Sequence, residues 1–176
     1  MGLWDKIGHA LEGSGVAVAV QSPGQLTPGA PALHVEVMLE AKTEPKTVTN
    51  VELALMYEQT YQQEEYVNGR EQDESHTNRQ QIMVLQNPAP ITLQPGTPVT
   101  VPFDMQVDAM SLQQMSQGSM GGFGGGLGGG MGMVMNIFDP QFASQNSFYL
   151  EAKATVEGSH LHPKGIQQIY VQGTSF

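Results

Sequence analysis

Two histidines near the end of the sequence come closest to a metal-binding pattern. His160 and His162 stand two residues apart, so on an extended chain both imidazoles would project to one side, where they could bind zinc. No further ligand is obvious nearby, and Pro163 directly after them is typical of a turn. We therefore interpret the pair as part of a surface turn and predict no metal site.

Nucleotide-binding and catalytic patterns are weaker still. Gly124, Gly126 and Gly129 have the spacing of a dinucleotide-binding loop, but such a loop joins a strand to a helix, and these glycines lie within a long glycine tract. The carboxylates are scattered rather than paired. Cysteine is absent, which excludes thiol catalysis, thiolate metal ligands and disulfides. The sequence predicts a protein that is not an enzyme and uses no cofactor.

The charge balance bears on which partners the chain can bind. Its 176 residues contain 7 Lys and Arg against 17 Asp and Glu, which gives a formal net charge of −10. Such a chain repels phosphate backbones and anionic lipid surfaces at long range, so we expect no nucleic-acid partner. We expect protein partners, with a second copy of the chain among them.

The sequence also bears on where the protein is found. It has no run of about 18 apolar residues that could span a bilayer. Its first residues, MGLWDKIGHALEGSG, lack the basic region, apolar stretch and cleavage site of a secretory signal. The absence of cysteine fits an intracellular protein. We expect a cytoplasmic protein, with attachment to the periphery of a membrane as the alternative.

Residues 1–13 predict a short amphipathic helix. Leu3, Trp4, Ile7 and Leu11 fall on one face at helical spacing, with polar residues around the rest. Two interpretations stay open: the helix packs across the edge of a sheet, or it contacts a partner or a membrane through Trp4. Its polar face carries one lysine, fewer than a membrane-surface helix usually has.

Residues 110–135 form a glycine- and methionine-rich segment that we predict to be an insertion loop. Met120, Phe123, Leu127 and Met131 punctuate it at roughly four-residue intervals. Glycine at this density makes an ordered backbone costly, yet the apolar residues are unlike a solvated linker. The segment could tuck onto the protein's own surface or form an adaptable contact surface for a partner.

Much of the remaining chain alternates between apolar and polar residues with the period of two that is typical of half-buried strands. In residues 47–61 this alternation places Val51, Leu53, Leu55 and Tyr57 on one face, and we predict that this is the central strand. The other predicted strands are residues 16–20, 32–41, 79–86, 91–93, 98–107, 147–156 and 166–171.

Residues 62–78 are polar and acidic, and they predict the tip of a long hairpin. Asn68 and Gly69 in its middle both tolerate the positive φ angles of a tight hairpin turn. The acidic tip could meet a basic partner or be a solvated loop. Further along, Pro102 within the strand 98–107 predicts an edge position or a bulge, because proline cannot donate to a ladder.

The order of these pieces resembles the N-terminal half of an arrestin-fold protein, and most closely the sporulation-control (SpoOM, Spo0M-like) family. The matching pieces are the short N-terminal helix, the first strand with the turn at residues 27–29, VTNVELALMYEQTY, ITLQPGTPVTVPFDMQV around Gly96, Pro102 and Phe103, and the closing pair FYLEAKATV and IQQIYV. The resemblance covers residues 1–110 and 146–173, and their order carries it.

The resemblance implies a non-enzymatic adaptor or scaffold and leaves its partner open. Arrestins contain two such sandwiches, whereas this chain has length for one, and the glycine- and methionine-rich segment replaces the family's segment before the closing strands. Arrestins also use a buried core of charged groups, which cannot be assigned here.

We therefore predict one all-β domain over residues 1–176: an antiparallel, immunoglobulin-like and arrestin-like sandwich of about seven strands, with the N-terminal helix and the insertion loop. The predicted function is an adaptor that acts through protein–protein contacts, with self-assembly as one form. The alternative is a membrane- or envelope-associated structural subunit that uses the helix and the loop.

Overall fold

The computed structural model describes residues 14–26, 32–67, 70–116 and 145–171. Within these ranges the chain forms nine strands and one helix. In chain order they are β1 (Val16–Gln21), β2 (Gln25–Leu26), β3 (Leu33–Ala41), β4 (Lys46–Val67), β5 (Arg70–Asn87), β6 (Ile91–Leu93), β7 (Val99–Met105), α1 (Ala109–Ser116), β8 (Gln145–Val156) and β9 (Lys164–Val171). The predicted all-β class is confirmed, and the two-residue strand β2 is the one that the sequence did not predict.

The strands form two sheets. One has three strands in the order β1-β3-β7, and the other has six, in the order β2-β9-β8-β4-β5 with β6 also paired to β4. Neighbouring strands are antiparallel except for the two-residue pair of β2 with β9, which is parallel. The predicted edge position of Pro102 is confirmed, because β7 is the last strand of its sheet and Pro102 is exposed on it.

The strand predicted over residues 47–61 is β4, which lies inside the six-stranded sheet, next to its outer strand β5. β4 pairs with β8 on one side and with β5 and β6 on the other. Leu53 lies between Leu85 of β5 and Ala152 of β8 in the ladder, and its side chain is fully buried. The alternation of the sequence therefore reports a strand with one face in the core and neighbours on both sides.

Buried residues of both sheets belong to one hydrophobic cluster. Its largest fully buried side chains include Leu39, Leu53, Leu55, Leu93, Met105 and Leu150. The two sheets approach each other closely where Gly165 of β9 meets β1. A Cβ atom at Gly165 would lie 2.8 Å from the backbone oxygen of Val18, so this contact requires glycine.

Two boundaries differ from the sequence-based prediction. β4 continues to Val67 and β5 begins at Arg70, not at residue 79, because main-chain pairing continues through the polar stretch. Val67 pairs with Arg70, so the strands are joined through Asn68 and Gly69.

The second difference is at the start of the predicted insertion loop, where residues 110–116 belong to α1. Asp108 caps this helix: its carboxylate accepts from the Met110 amide at 3.0 Å and from the Ser111 hydroxyl at 2.6 Å. The bond from Ser111 is the largest cause that lowers the pKa of Asp108 below its usual value, and the bond from Met110 lowers it further. Leu112 anchors the helix to the core. Residues 117–135 and the predicted N-terminal helix lie outside the described residues.

Candidate interaction surface

The β4–β5 hairpin is longer than the sheet that supports it. β8 pairs with β4 only as far as Thr60, opposite Gln145, whereas β4 and β5 remain paired to Val67 and Arg70. Residues 61–67 of β4 therefore extend beyond the last residue of β4 that pairs with β8. At about 3.3 Å per residue, this extension is about 23 Å long. Together with residues 70–76 of β5, residues 61–67 form a two-stranded ribbon, which we call the arm.

The sequence of the arm is acidic. Residues 61–75 include Glu64, Glu65, Glu71, Asp73 and Glu74 but only one basic residue. In the ladder Glu64 stands opposite Asp73, and like charges at opposed positions disfavour strand pairing. The pairing of like charges disfavours this ribbon, and the sequence of the arm carries an excess of negative charge.

The root of the arm is held by polar contacts between β4 and β5. The hydroxyls of Thr60 and Thr77 lie 3.4 Å apart. Two residues further from the hairpin turn, the Arg79 guanidinium donates to the Glu58 carboxylate at 2.6 Å. That hydrogen bond is the main cause that raises the pKa of Arg79 above its ordinary value. Because the pair is exposed, it orients Arg79 more than it stabilises the fold.

β5 is the outer strand of the six-stranded sheet. Its described partner is β4, so one of its backbone edges faces away from the sheet among the residues described. Residues 82–85, IMVL, are half-buried and uncharged, and a β-bulge interrupts their pairing with β4 between Leu55 and Met56. An outer strand with such an uncharged run can pair with another extended chain.

The outer face of the same sheet carries exposed apolar side chains among ion pairs. Ile166 and Tyr170 on β9 are 53% and 52% exposed. Beside them the Lys164 ammonium donates to the Glu151 carboxylate at 3.0 Å. Tyr149 of β8 pairs with Gln168 of β9, and partial burial is the main cause that raises the pKa of its phenol. Tyr149 and Tyr170 give this face aromatic side chains, a residue type enriched in contact surfaces.

An exposed histidine–aspartate pair joins two strands of the three-stranded sheet. His34 Nδ1 of β3 lies 2.8 Å from the Asp104 carboxylate of β7, and its Nε2 lies 3.9 Å from Glu36. The hydrogen bond to Asp104 is the largest cause that raises the pKa of His34 above its ordinary value of 6.5, and the charge of Glu36 is the smallest. The pair therefore favours the folded state below pH 6.5, and this contribution is lost as the pH rises through the raised pKa.

We expect Asp104→Asn to lower the pKa of His34 in an NMR titration of the ring protons, because it removes the hydrogen-bonded carboxylate. The matched variant Glu36→Gln should lower it by less. An unchanged His34 pKa in Asp104→Asn, or an equal shift in both variants, would contradict this account of the pair.

The two histidines considered as metal ligands lie in a loop. His160 and His162 are exposed in the loop between β8 and β9. Among the described residues, no group of three His, Cys, Asp or Glu side chains is placed to hold a metal ion. Within the residues that the structure describes, no helix has the length and apolar character needed to cross a membrane.

The contact residues predicted from the sequence are not among those the structure describes. Leu3, Trp4, Ile7 and Leu11 lie before residue 14, and Met120, Phe123, Leu127 and Met131 lie between residues 116 and 145. Their proposed roles stay predictions.

Strands β9 and β5 provide candidate contact residues that the sequence analysis did not identify. Ile166 and Tyr170 were predicted only as part of a closing strand, yet they face outward from it. The edge position of β5 was not predicted either. Its signal in the sequence is the uncharged run 82–85 followed directly by Pro88 and Pro90, but strand order decides whether such a run is at an edge.

Comparisons with known proteins identify the fold. No protein-family model matches the chain, and no curated protein matches it in sequence. Its structure is similar in fold to a member of the Spo0M family, which the sequence resemblance had indicated. The match is to the sporulation control protein Spo0M from Bacillus subtilis, with a TM-score of 0.55 and 12% identity over 91% of this chain.

The chain spans about half the length of that Spo0M structure, since the match covers 50% of it. At this identity the likeness concerns the fold alone. A protein from Archaeoglobus fulgidus also matches, with a TM-score of 0.36 and 11% identity over 86% of this chain and 91% of its own. That score is too low to indicate a shared fold.

Proposed function

We propose that the chain is a non-enzymatic adaptor module that acts through protein–protein contacts. In this proposal its two sheets pack as an arrestin-like sandwich, which serves as a rigid support for the β4–β5 hairpin. The likeness to Spo0M supports the sandwich, and the single hydrophobic cluster shared by both sheets agrees with it.

The arm is the observation that carries the proposal. A two-stranded ribbon is marginally stable in water by itself, and residues 61–67 of β4 have β5 as their strand partner among the described residues. Such a ribbon presents main-chain donors and acceptors along its edges, which an extended segment of another protein can pair with. Its carboxylates favour a partner segment that carries basic residues.

Site-specific photo-crosslinking in the native cell tests this function. A photoreactive amino acid at Gln72, in the arm, is expected to capture one or a few proteins reproducibly. The control position is Thr43, an exposed residue in the connection between β3 and β4 at the opposite end of β4. Charge reversal of Glu64 and Glu65 to lysine should abolish capture at Gln72 if basic segments bind there.

Equal capture at Gln72 and Thr43, or none at Gln72, would contradict the adaptor proposal. The membrane-associated alternative depends on Trp4 and Phe123, which lie outside the described residues. Flotation with liposomes separates the two functions, because only the membrane-associated subunit would float and would lose flotation in Trp4→Ala and Phe123→Ala.

A further inference from the structure

We propose that residues 1–13 pack on the outer face of the three-stranded sheet, over Ala19 of β1 and Met38 of β3. The apolar side chains of this segment are then covered by the protein itself. The inference goes beyond the adaptor function, because it concerns the sheet that does not carry the arm.

The ladder register places Ala19 and Met38 on the outer face of their sheet. The two residues pair with each other. Val18, Val20 and Leu39, their neighbours in sequence, belong to the hydrophobic cluster of the core, whereas neither Ala19 nor Met38 does. Successive side chains of a strand alternate between its two faces. Ala19 and Met38 therefore face away from the core.

Both residues are nevertheless buried. Ala19 has no exposed surface, and Met38 is 8% exposed. In the ladder Met38 stands between Ala19 and Thr100, which have shorter side chains, and Thr100 is itself exposed. Glu40, the next residue of β3 on this face, is half-buried. The burial of Met38 therefore indicates that a further part of the chain covers this half of the face.

Residues 1–13 join the described chain at the edge of this sheet. Ser14 follows them directly and is 4% exposed. Gly15 has a φ of 72°, a left-handed conformation in which the chain can turn before it enters β1. The Gly15 carbonyl accepts from the Lys42 amide at 2.9 Å, which fixes this turn beside the end of β3. A segment that reverses here runs back along β1.

The length and the pattern of the segment fit this strand. Thirteen residues in a helix are about 20 Å long, and the six residues of β1 extend over a similar distance. The short side chains of Ala17 and Ala19 leave space above β1 for large ones. A helix that runs back from Ser14 brings Ile7 near Ala19. The apolar side of the predicted helix consists of Leu3, Trp4, Ile7 and Leu11.

The other longer stretches outside the described residues are attached elsewhere. Residues 117–144 join α1 to β8, and residues 172–176 follow β9, so both lead from strands of the six-stranded sheet. Residues 27–31 lead into β3 at the end away from Ser14. Their places of attachment favour residues 1–13 as the cover of Ala19 and Met38.

This packing makes Trp4 unavailable to a membrane. While residues 1–13 lie on β1, the apolar side of the segment faces the sheet and its polar side faces water. Contact with a lipid surface through Trp4 would first require release of the segment from Ala19 and Met38.

Labelling of a single introduced thiol tests the inference on the full chain, which contains no cysteine. In Met38→Cys the thiol should react slowly with a maleimide, because the segment covers it. Adding Ile7→Ser and Leu11→Ser should speed the reaction by about tenfold or more, since the cover then opens more often. The matched control is Thr100→Cys, exposed on the same face, whose rapid reaction should not change with the serine substitutions.

A second measurement identifies the covering segment in a sheet whose buried residues are unchanged. Trp4 is the only tryptophan, and tryptophan quenches a bimane dye only at short range. A bimane attached at Gln21→Cys, exposed at the far end of β1, should be quenched when Trp4 is present and bright in Trp4→Phe. The control is a bimane at Gln168→Cys, on the outer face of the other sheet, which should be equally bright in both.

Three outcomes would overturn the inference. They are rapid labelling of Met38→Cys in the full chain, labelling that stays slow after the serine substitutions, and equal brightness at Gln21→Cys with and without Trp4. Partner capture at Gln72 is a separate readout, so the adaptor function and the packing of residues 1–13 can fail independently.

Discussion

Leu53→Ala is expected to lower the free energy of unfolding by about 3 kcal/mol, the cost typical of emptying a fully buried leucine site. Leu53 has no exposed surface and lies in β4 between Leu85 and Ala152. Because β4 is bonded on both sides, its backbone has little freedom to move into the space left by the side chain. The cavity should therefore persist.

Urea denaturation, monitored by circular dichroism at dilute protein, measures this change as a lower midpoint with an unchanged slope. The matched control is Leu161→Ala, since Leu161 is 50% exposed in the loop before β9, and it should change stability by less than about 0.5 kcal/mol. Similar losses in the two variants would contradict the placement of Leu53 at the centre of the core.

Gly165→Ala is expected to cost about 3 kcal/mol, at the upper end of what overpacking usually costs. The added methyl group would lie 2.8 Å from the oxygen and 3.0 Å from the carbonyl carbon of Val18, and 3.1 Å from the Cα of Ala19. These are backbone atoms, so no side-chain rotation relieves the clash. β1 and β9 would have to separate, which loosens the core between the sheets.

Gly158→Ala is the matched control for this prediction. Gly158 has a φ of 73°, and an added Cβ there meets nothing within 4 Å. Its substitution should cost only the strain of a left-handed alanine, about 1 kcal/mol. If both glycine variants lost the same stability in thermal or urea unfolding, the close approach of β1 and β9 would not be what requires glycine at position 165.

The strands were predictable where burial alternates along the chain. In β4 the residues Val51, Leu53 and Leu55 face the core and are fully buried, and an apolar residue at every second position indicates this from sequence alone. Pro102 predicted an edge for a chemical reason, the missing N–H, and β7 is an edge strand. Both inferences depend on local chemistry that tertiary packing did not override.

The arm was predicted as part of a hairpin, but the two paired strands were predicted to be shorter than they are. Hydrophobic periodicity reports which side chains are buried, whereas the pairing of residues 61–67 with 70–76 is a main-chain property of a polar segment. The helix α1 was missed because its eight residues are too few to show a clear helical period. Its capping by Asp108 and Ser111 was the available signal.

The candidate surface could be predicted least, because it depends on strand order. The apolar run 82–85 of β5 does not differ in type from residues of an interior strand, and the long connection between β7 and β8 hides which strand comes to lie beside β4. In β9, apolar residues occur on both faces, so Ile166 and Ile169 could not be assigned to solvent and core by periodicity. The structure exposes the first and buries the second.

Hydrogen–deuterium exchange of the β5 amides, followed by NMR over a range of protein concentrations, most directly tests the central claim that this edge is an open contact strand. We predict that within residues 78–87 the amides bonded to β4 are protected at every concentration. Among residues 81–87 the alternate amides should exchange rapidly, because no described strand bonds to them. Protection of every amide in dilute, monomeric protein would contradict the claim, because the edge would then be covered by the chain itself.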